Sequence, residues 1–597
     1  MSGVSKGKQS AQAIKDAGGV MTHRQILFII FGLMAGMFLS ALDQTIVGTS
    51  MRTIADDLKG LDAQAWVTTA YLITSTIATP IYGKLSDIFG RRPLFIIAIV
   101  IFLLGSIAAG FAASMYQLAA FRALQGLGAG GLMALPLAIM GDILAPRERA
   151  KYQGYFLAVF GISSVIGPLI GGLLSGTDWI LGFTGWRWVF LINIPIGIAA
   201  LAIVLRFLHI PHTRHSVRID WWGAATVIVA LVPLLLVAEQ GRTWGWDSAG
   251  AIACYVIGVL GIAAFIVSEK LMGDDALIPL KLFTNATFRM ATILGVLVGF
   301  GMFGAMMTIP LYLQLVNGAT PTESGFLMLP MILGLMIASI VSGQIIGRTG
   351  EYKWFPRLGT FLMAAGFFWF TFATADKPVW FMMIGMFLVG LGLGQLMQTL
   401  TIASQNAVGP RDIGVATSSS TFFRQIGGTL GVAILFSVLY TRIPLAIAEA
   451  FSVKSNLAGI AAAAQDPQVT ADPGNRDILE LLQNAQGGDN SAVTSSLNAD
   501  SSFLNDADPR LTAPFLQGFN DAAVSIFWVS LGVVLVAFVL SWFLKTTPLR
   551  AKSALQENAE NEAALVAQAA ADATGALVEP GAAPAHSPSP ASPPKNI

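Results

Sequence analysis

The sequence predicts an all-α polytopic membrane protein, built as two six-helix bundles with two more helices inserted between them, fourteen transmembrane helices in all. Three observations predict it. First, the 597-residue chain is 54% hydrophobic and only 12% charged, with a mean hydropathy of +0.68, whereas soluble domains are about a quarter charged. Second, apolar runs recur near 26–50, 65–83, 93–113, 117–140, 152–175, 187–208, 222–240, 249–268, 290–316, 324–346, 356–374, 379–406, 415–440 and 521–544. A helix needs about 20 such residues to cross a hydrocarbon core about 30 Å thick. Third, "GKLSDIFGRR" (83–92) after span 2 has a degenerate relative, "GQIIGRTGEYK" (343–353), after span 10. Read as a duplication, the pair divides the chain six plus two plus six, the architecture of a secondary transporter with its site between the halves. Two unrelated basic loops are the alternative.

In chain order, residues 1–25 are polar and basic and read as a cytoplasmic N-terminal segment. The apolar run that follows is too long for a signal-peptide core, so a retained first span is expected. The N-terminal bundle occupies 26–208, the inserted pair 222–268 and the C-terminal bundle 290–544. Residues 441–520, rich in Ala, Asn, Asp, Gln and Gly, read as an extracytoplasmic spacer with one amphipathic stretch, "RDILELLQNA". Residues 551–597 end in "PGAAPAHSPSPASPPKNI" and are expected to be a disordered cytoplasmic tail, because that composition cannot build a core. Orientation follows from charge. With the N-terminus inside, the inner loops carry Lys84, Arg91, Arg92, Arg147, Arg149, Lys151, Arg206, Arg214, Arg218, Lys270, Lys281, Arg289, Arg348, Lys353 and Arg357. The short outer loops hold little beyond Arg52, Lys59, Arg242 and Lys377, so a multi-pass cell-membrane protein with both termini cytoplasmic is expected.

Composition also narrows function. A net charge of +1 supplies no basic field for nucleic acid. Cys254 is the only cysteine, which excludes an intrachain disulfide and a cysteine-based metal site. In "HIPHTRH", Pro211 interrupts the helix that would align His209, His212 and His215, so no metal is expected there. The chain lacks H-E-x-x-H and a P-loop, and its one G-x-S-x-G match, Gly3 to Gly7, lies in the polar N-terminal segment with no strand before it and so is no nucleophile elbow, which leaves an intramembrane enzyme or an ATP-driven pump without support. Duplicated halves with gating loops disfavour a passive channel. No cofactor is expected.

The residues that carry chemistry are polar groups inside apolar spans. Asp43, in "FLSALDQTIVGTS", lies 17 residues past Ile26, or roughly 26 Å along a helix. A charge at such depth costs about 2.5–3.5 kcal/mol, so it should face the protein interior or a wet cavity. Gly32, Gly36, Ser40 and Asp43 share one helical face. Such a carboxylate is either a proton carrier or a structural partner for a cation, and Arg122 of span 4 lies at similar depth. "GLGAGG" follows no strand, so Gly126 and Gly130 read as helix-packing glycines rather than a dinucleotide loop. Span 5 holds Gly167, Pro168, Gly171 and Gly172, suited to bending and close packing. Arg424 and Gln425 sit about nine residues inside span 13, too costly to face lipid. Gln44, Gln125, Asn193, Gln314, Gln395, Gln398 and Glu239 are candidates for the substrate cavity, with bonding between neighbouring helices as the other reading.

At this point the sequence resembles the fourteen-span drug/proton antiporter family of the major facilitator superfamily. "GKLSDIFGRR" matches that superfamily's loop signature at Gly83, Asp87, Gly90, Arg91 and Arg92; "RALQG" matches its span 4 motif at Arg122, Gln125 and Gly126; and "GPLIGG" matches the antiporter motif of span 5. "LDQTIVGTS" and "WRWVFLINIPIG" (186–197) look like the span 1 and span 6 signatures of the fourteen-span branch. The resemblance covers roughly 22–440 plus span 14. It implies a major facilitator fold, alternating access and proton-driven export of hydrophobic or amphipathic compounds, with Asp43 and Arg122 in proton coupling and Asp87, Arg91 and Arg92 in a cytoplasmic latch. A coupling or cavity role for Arg424 fits the same pattern. Gly48, Arg52 and Ser163 depart from the family's usual Asn, Pro and Gly. Export of lipids or envelope precursors, with or without a lipoprotein or periplasmic partner, is the alternative on the same scaffold.

Overall fold

A computed structural model describes residues 22–59, 64–209, 218–476, 478–480, 507–550 and 552–575. The main helices are α1 His23–Asp57, α2 Gln64–Phe89, α3 Arg91–Gly110, α4 Met115–Ile143, α5 Pro146–Ser175, α6 Asn193–Phe207, α7 Trp221–Trp244, α8 Ala249–Met272, α9 Ala286–Leu315, α10 Leu329–Thr349, α11 Trp354–Phe370, α12 Val379–Asn406, α13 Ile413–Phe451, α14 Pro509–Ser541 and α15 Ala554–Gly575. Among the described residues, twelve helices are long and apolar enough to cross a membrane. The helices at predicted spans 2 and 11, α2 and α11, fall outside that set, and α11 has only 17 residues.

Two separate cores set the architecture. One runs through α9 to α14, from Ala291 to Phe527 and beyond; the other runs through α1 to α6, around Phe95, Phe102 and Leu135 and, toward the far ends, Leu42, Ile46 and Phe190. Glycines set the spacing. A Cβ on Gly126 would lie 2.5 Å from the Tyr71 carbonyl oxygen, and one on Gly130 2.5 Å from that of Ser75, so α4 sits backbone to backbone on α2. The inserted pair packs outside the bundles. Leu235 of α7 joins Ile73 and Ile77 of α2, while Val227 packs with Phe422 of α13, so α7 covers the seam where the halves meet. α8 leans on α7 through Gly258 and Gly261 and exposes Val256, Val259 and Leu260.

Two expectations are corrected. Spans 13 and 14 do not stop at the membrane. α13 has 39 residues and α14 has 33, roughly 58 and 50 Å at 1.5 Å per residue, and short helices at Lys454–Gln465 and Pro467–Ala471 begin the connection expected to be a spacer. There Arg510 reaches both Asp508 (2.9 Å) and Asp466 (3.1 Å). Its hydrogen bonds hold both carboxyls below their usual range, so this tie persists through that range and is lost only as the pH falls below it. Most of "RDILELLQNA" lies outside the described residues, as do 1–21 and 576–597.

The second correction concerns the tail expected to be disordered. Ala554–Gly575 is a helix, with Ser553 accepting from the Gln556 backbone N–H and the Gln556 side chain accepting from Ser553 N–H. Ahead of it, Arg550 donates to the carbonyls of Asn406 and Val408 and pairs with Glu557, and Asn406 donates to Thr547 Oγ1 (2.9 Å). Ala554 then packs with Val408, Ile413 and Val415 of the C-terminal half, while its neighbour Leu555 packs on the N-terminal core. The segment straddles both halves at the face bearing the 83–92 loop. A charge at position 555 should weaken that bridge: in a Cys254→Ser background, Leu555→Glu is expected to speed thiol labelling of a cysteine placed at Ile413 several-fold. Unchanged labelling would mean the docked helix does not hold the halves together.

Candidate functional site

α1, α4 and α6 bring four polar side chains to one point. Asp43 is 0% exposed and Arg122 2%. Arg122 Nη1 donates to Asp43 Oδ2 at 2.5 Å and to Gln125 Oε1 at 2.8 Å; Gln125 Nε2 and Asn193 Nδ2 donate to Asp43 Oδ1 at 2.8 and 2.7 Å. Local sequence explains each position. Arg122 and Gln125 are three apart on α4 and therefore share a face. Asn193 opens α6 at a break after the short helix Trp188–Leu191, where Pro195 has no N–H to continue the ladder. Ser106 Oγ fixes its amide from α3 at 2.9 Å. Gly36 approaches Phe95, and Ser40 shares a hydrogen bond with the Tyr71 hydroxyl at 3.1 Å, which sets the Tyr71 ring 3.9 Å beneath the Arg122 guanidinium. The small and polar face of α1 thus looks into its own bundle. Gln125 and Asn193, expected in the substrate cavity, serve the carboxylate instead.

Two buried atoms of this cluster lack partners, Arg122 Nε and Asn193 Oδ1. A carboxylate can only accept hydrogen bonds; a carboxylic acid must also donate one. Asn193 Oδ1 is an idle acceptor on the group that already touches Asp43. Removing either ion of such a pair strands the other, at about 3–5 kcal/mol.

A second constellation closes the face bearing the 83–92 loop. Arg91 Nη1 meets Asp87 Oδ1 at 2.5 Å, and its Nε donates to Asp142 Oδ2 at 2.6 Å; Asp87 Oδ2 accepts from the Val415 N–H at 3.1 Å, at the start of α13 in the other half. Gly83 lies against Ser418. Gly90, at φ 97°, begins α3 in a conformation that a side chain would strain. Arg92 donates to the Leu205 carbonyl at 2.8 Å, within its own half. The sequence reading missed a parallel link: Arg149 Nη1 donates to Gln405 Oε1, and Gln405 Nε2 donates to the Leu137 carbonyl (3.1 Å) and to Thr417 (2.8 Å). The degenerate repeat does the matching work. Gly347 and Gly350, the latter at φ 75°, abut Lys151 and Arg147 at the start of α5.

The remaining candidates divide. A Cβ on Gly171 would meet the Ile46 carbonyl oxygen at 2.9 Å, and Gly167 lies against Thr45, so the antiporter motif seats α5 on α1. Pro168 faces Gly325 of the other half, and Gly172 looks toward Thr322. Gln314 donates to Ser324 (3.0 Å) and Gln398 accepts from Ser339 (2.9 Å), both within the C-terminal half. Gln395 donates weakly to the Leu391 carbonyl (3.3 Å) and leaves Oε1 unpaired. Gln44 is half-buried, and Gly48, one turn on, has open space where a side chain would stand. Arg424 is buried in the C-terminal half, and the bonds of the Asp43 cluster do not include it. The side chain of Glu239 lies outside the described residues. Among the described residues, no three His, Cys, Asp or Glu side chains gather to hold a metal.

The family model described as Major Facilitator Superfamily matches residues 33–432. The chain belongs to that superfamily. It is a multi-pass membrane transporter, and its relatives carry matching names. It is 39% identical over 427 residues to the multidrug transporter protein MdtP of Bacillus subtilis, covering 71% of this chain and 77% of that one. It is 36% identical over 456 residues to multidrug resistance protein 3 of the same organism, covering 76% and 87%. The solved structure of the human organic anion transporter MFSD10 shares the fold, with a TM-score of 0.55 at 13% identity, covering 86% of this chain and 99% of that one.

Two substitutions test these contacts. Gly83→Ala forces a methyl group onto Ser418 and is expected to cut transport about tenfold, or ~1.4 kcal/mol against closure of the gate. Adding Ser418→Gly should restore most of it; a double variant no better than the single one would place the defect elsewhere. Asn193→Ala removes one of the bonds to Asp43 and should cost about 1–3 kcal/mol of stability, read as a lower melting temperature of the purified protein.

Proposed function

We propose that this transporter is a proton-coupled antiporter that exports hydrophobic or amphipathic compounds by alternating access. The observation that carries the reading is the sealed Asp43–Arg122 pair, a titratable charge held off the lipid and off solvent inside the N-terminal half. We read α2 and α11 as crossings too, making fourteen, and assign the face bearing the 83–92 loop to the cytoplasm from its basic loops. The described state is then closed to the cytoplasm, by Asp87 on the Val415 N–H and by Arg149 on Gln405.

The chemistry follows from competition for one carboxylate. Unprotonated, Asp43 holds Arg122, Gln125 and Asn193 together and so fixes α1, α4 and α6. A proton removes the charge that pairs with Arg122 and gives the acid an O–H that needs an acceptor, which a rotated Asn193 amide supplies through Oδ1. The three helices are then free to repack, and Gly167 and Gly171 pass the movement to α5, whose start carries the Arg149 link. Proton uptake on one face and release on the other would bias the gates in turn.

Asp43→Asn keeps the shape of the side chain and one acceptor oxygen. It is expected to fold and still bind a transported dye, but to lose accumulation driven by a pH gradient in inverted vesicles; full gradient-driven activity would remove Asp43 from the proton path. Asp87→Asn should lower the maximal rate several-fold with little change in half-saturating concentration, since Asp87 touches the gate rather than the cargo; a pure affinity loss would contradict the latch. Reconstituted vesicles given a dye and a fluorescent phospholipid in parallel separate drug export from lipid export.

A further inference from the structure

Five arginines are buried among the described residues: Arg91, Arg122, Arg149, Arg357 and Arg424. The first four have partners. Arg91 holds Asp87 and Asp142, Arg122 holds Asp43, Arg149 holds Gln405 and two carbonyls, and Arg357 lies over the Trp542 ring and near its carbonyl. Arg424 is 8% exposed and makes no hydrogen bond or ion pair with any described residue. Its nitrogens are not among the fully enclosed unpaired atoms, as Arg122 Nε and Arg149 Nε are, so they keep some accessible surface.

Its position lies between the two halves. Arg424 lies 11 residues from Ile413, the first residue of α13, or roughly 16 Å from the cytoplasmic end and so near mid-membrane. The next residue, Gln425, accepts a hydrogen bond from Thr79 of the opposite half at 3.2 Å, which puts this turn of α13 at the interface between halves. The stem of Arg424 crosses Gly299 of α9, where a Cβ would lie 3.1 Å from its Cγ. One turn earlier, Gly295 has nothing nearer than the Ser420 carbonyl oxygen at 4.0 Å. Nor does this half supply a counter-ion at that depth. The helices α9 to α14 contain two carboxylates, Glu449 and Asp521. Glu449 is 25 residues farther along α13, and Asp521 is 20 residues short of the inner end of α14, so both lie near the outer face at 1.5 Å per residue.

An unpaired guanidinium at mid-membrane costs several kcal/mol unless something satisfies it, and guanidinium binds carboxylate, sulfonate and phosphate oxygens through paired N–H groups. We propose that Arg424 is the counter-charge for an anionic head group on the transported compound, an amphipathic acid whose apolar body lies between the halves. The proposal rests on the exporter reading above and names its substrate class.

The test uses purified full-length protein and three probes with one apolar body: pyrenebutyrate (anion), pyrenebutanol (neutral) and pyrenebutyl-trimethylammonium (cation). Binding is read by energy transfer from tryptophan at fixed pH with no gradient, so a failure of proton coupling at Asp43 leaves the result intact. Wild type is expected to favour the anion. Arg424→Gln should weaken pyrenebutyrate about tenfold or more, leave pyrenebutanol unchanged and leave the cation unchanged or tighter; Arg424→Lys should recover part of the anion affinity. The melting temperature of Arg424→Gln should stay level or rise, because a stranded charge is removed. Equal losses for all three probes, an unaltered anion affinity or a lower melting temperature would overturn the proposal and make Arg424 structural. Phosphatidylglycerol, against phosphatidylcholine, identifies the source of the anion. Displacement of pyrenebutyrate that disappears in Arg424→Gln supports the site with a lipid phosphate in it; no displacement, with the pyrenebutyrate result as expected, supports it with a soluble organic acid.

Discussion

A charge inside a hydrocarbon slab must be neutralised by the protein itself, and the N-terminal half is organised around one such requirement. Asp43 cannot face lipid, and water does not reach it, so Arg122, Gln125 and Asn193 converge on it from α4 and α6. The close seat of α4 on α2 through Gly126 and Gly130, the Tyr71 ring beneath the guanidinium and the break that starts α6 at Asn193 all serve that convergence. Because the cluster ties three helices through one carboxylate, a single proton would have mechanical reach under the proposed function.

The two halves meet at this face through related parts, which the proposed function reads as gates. In the first, the 83–92 loop meets the start of α13; in the second, the 343–350 region meets the start of α5. Both use a glycine at positive φ to turn the chain, Gly90 and Gly350. They are unequal in strength. The first loop has the Asp87–Arg91–Asp142 network, whereas the second lacks the matching acid and relies on close packing against Arg147 and Lys151. Arg149 and Gln405 compensate by adding a polar link on that side. The tail helix lies across the same face and touches both halves through adjacent residues, Ala554 and Leu555, from outside the bundles.

Much of this is legible in the sequence, because the membrane forces a simple pattern. Long apolar runs become helices, intramembrane charges become sites and small-residue faces become close packing, so helices form at all fourteen expected positions and Asp43 finds Arg122. What sequence does not reveal is which polar groups share a pocket. Gln125 and Asn193 read as cargo ligands because an amide inside a span has two uses, and only the geometry sends both to Asp43. Arg149 counts as one more loop charge in an orientation tally, yet it is buried against Gln405, about 250 residues away in sequence. The tail carried a signal that its Pro-rich end obscured: "ALQENAENEAALVAQAAADA" consists almost wholly of strong helix formers.

The central claim is that one proton and the cargo are linked through Asp43, and linkage is reciprocal: if protonation alters affinity for cargo, cargo must alter affinity for the proton. The most direct measurement is the number of protons released or taken up when a transported compound binds the purified protein in weakly buffered solution, followed with a pH indicator. The account predicts roughly one proton exchanged per protein at a pH where the site is partly protonated, and none when Asp43 is replaced by Asn. Proton exchange that persists without Asp43, or its absence in the wild-type protein across the whole pH range, would contradict it.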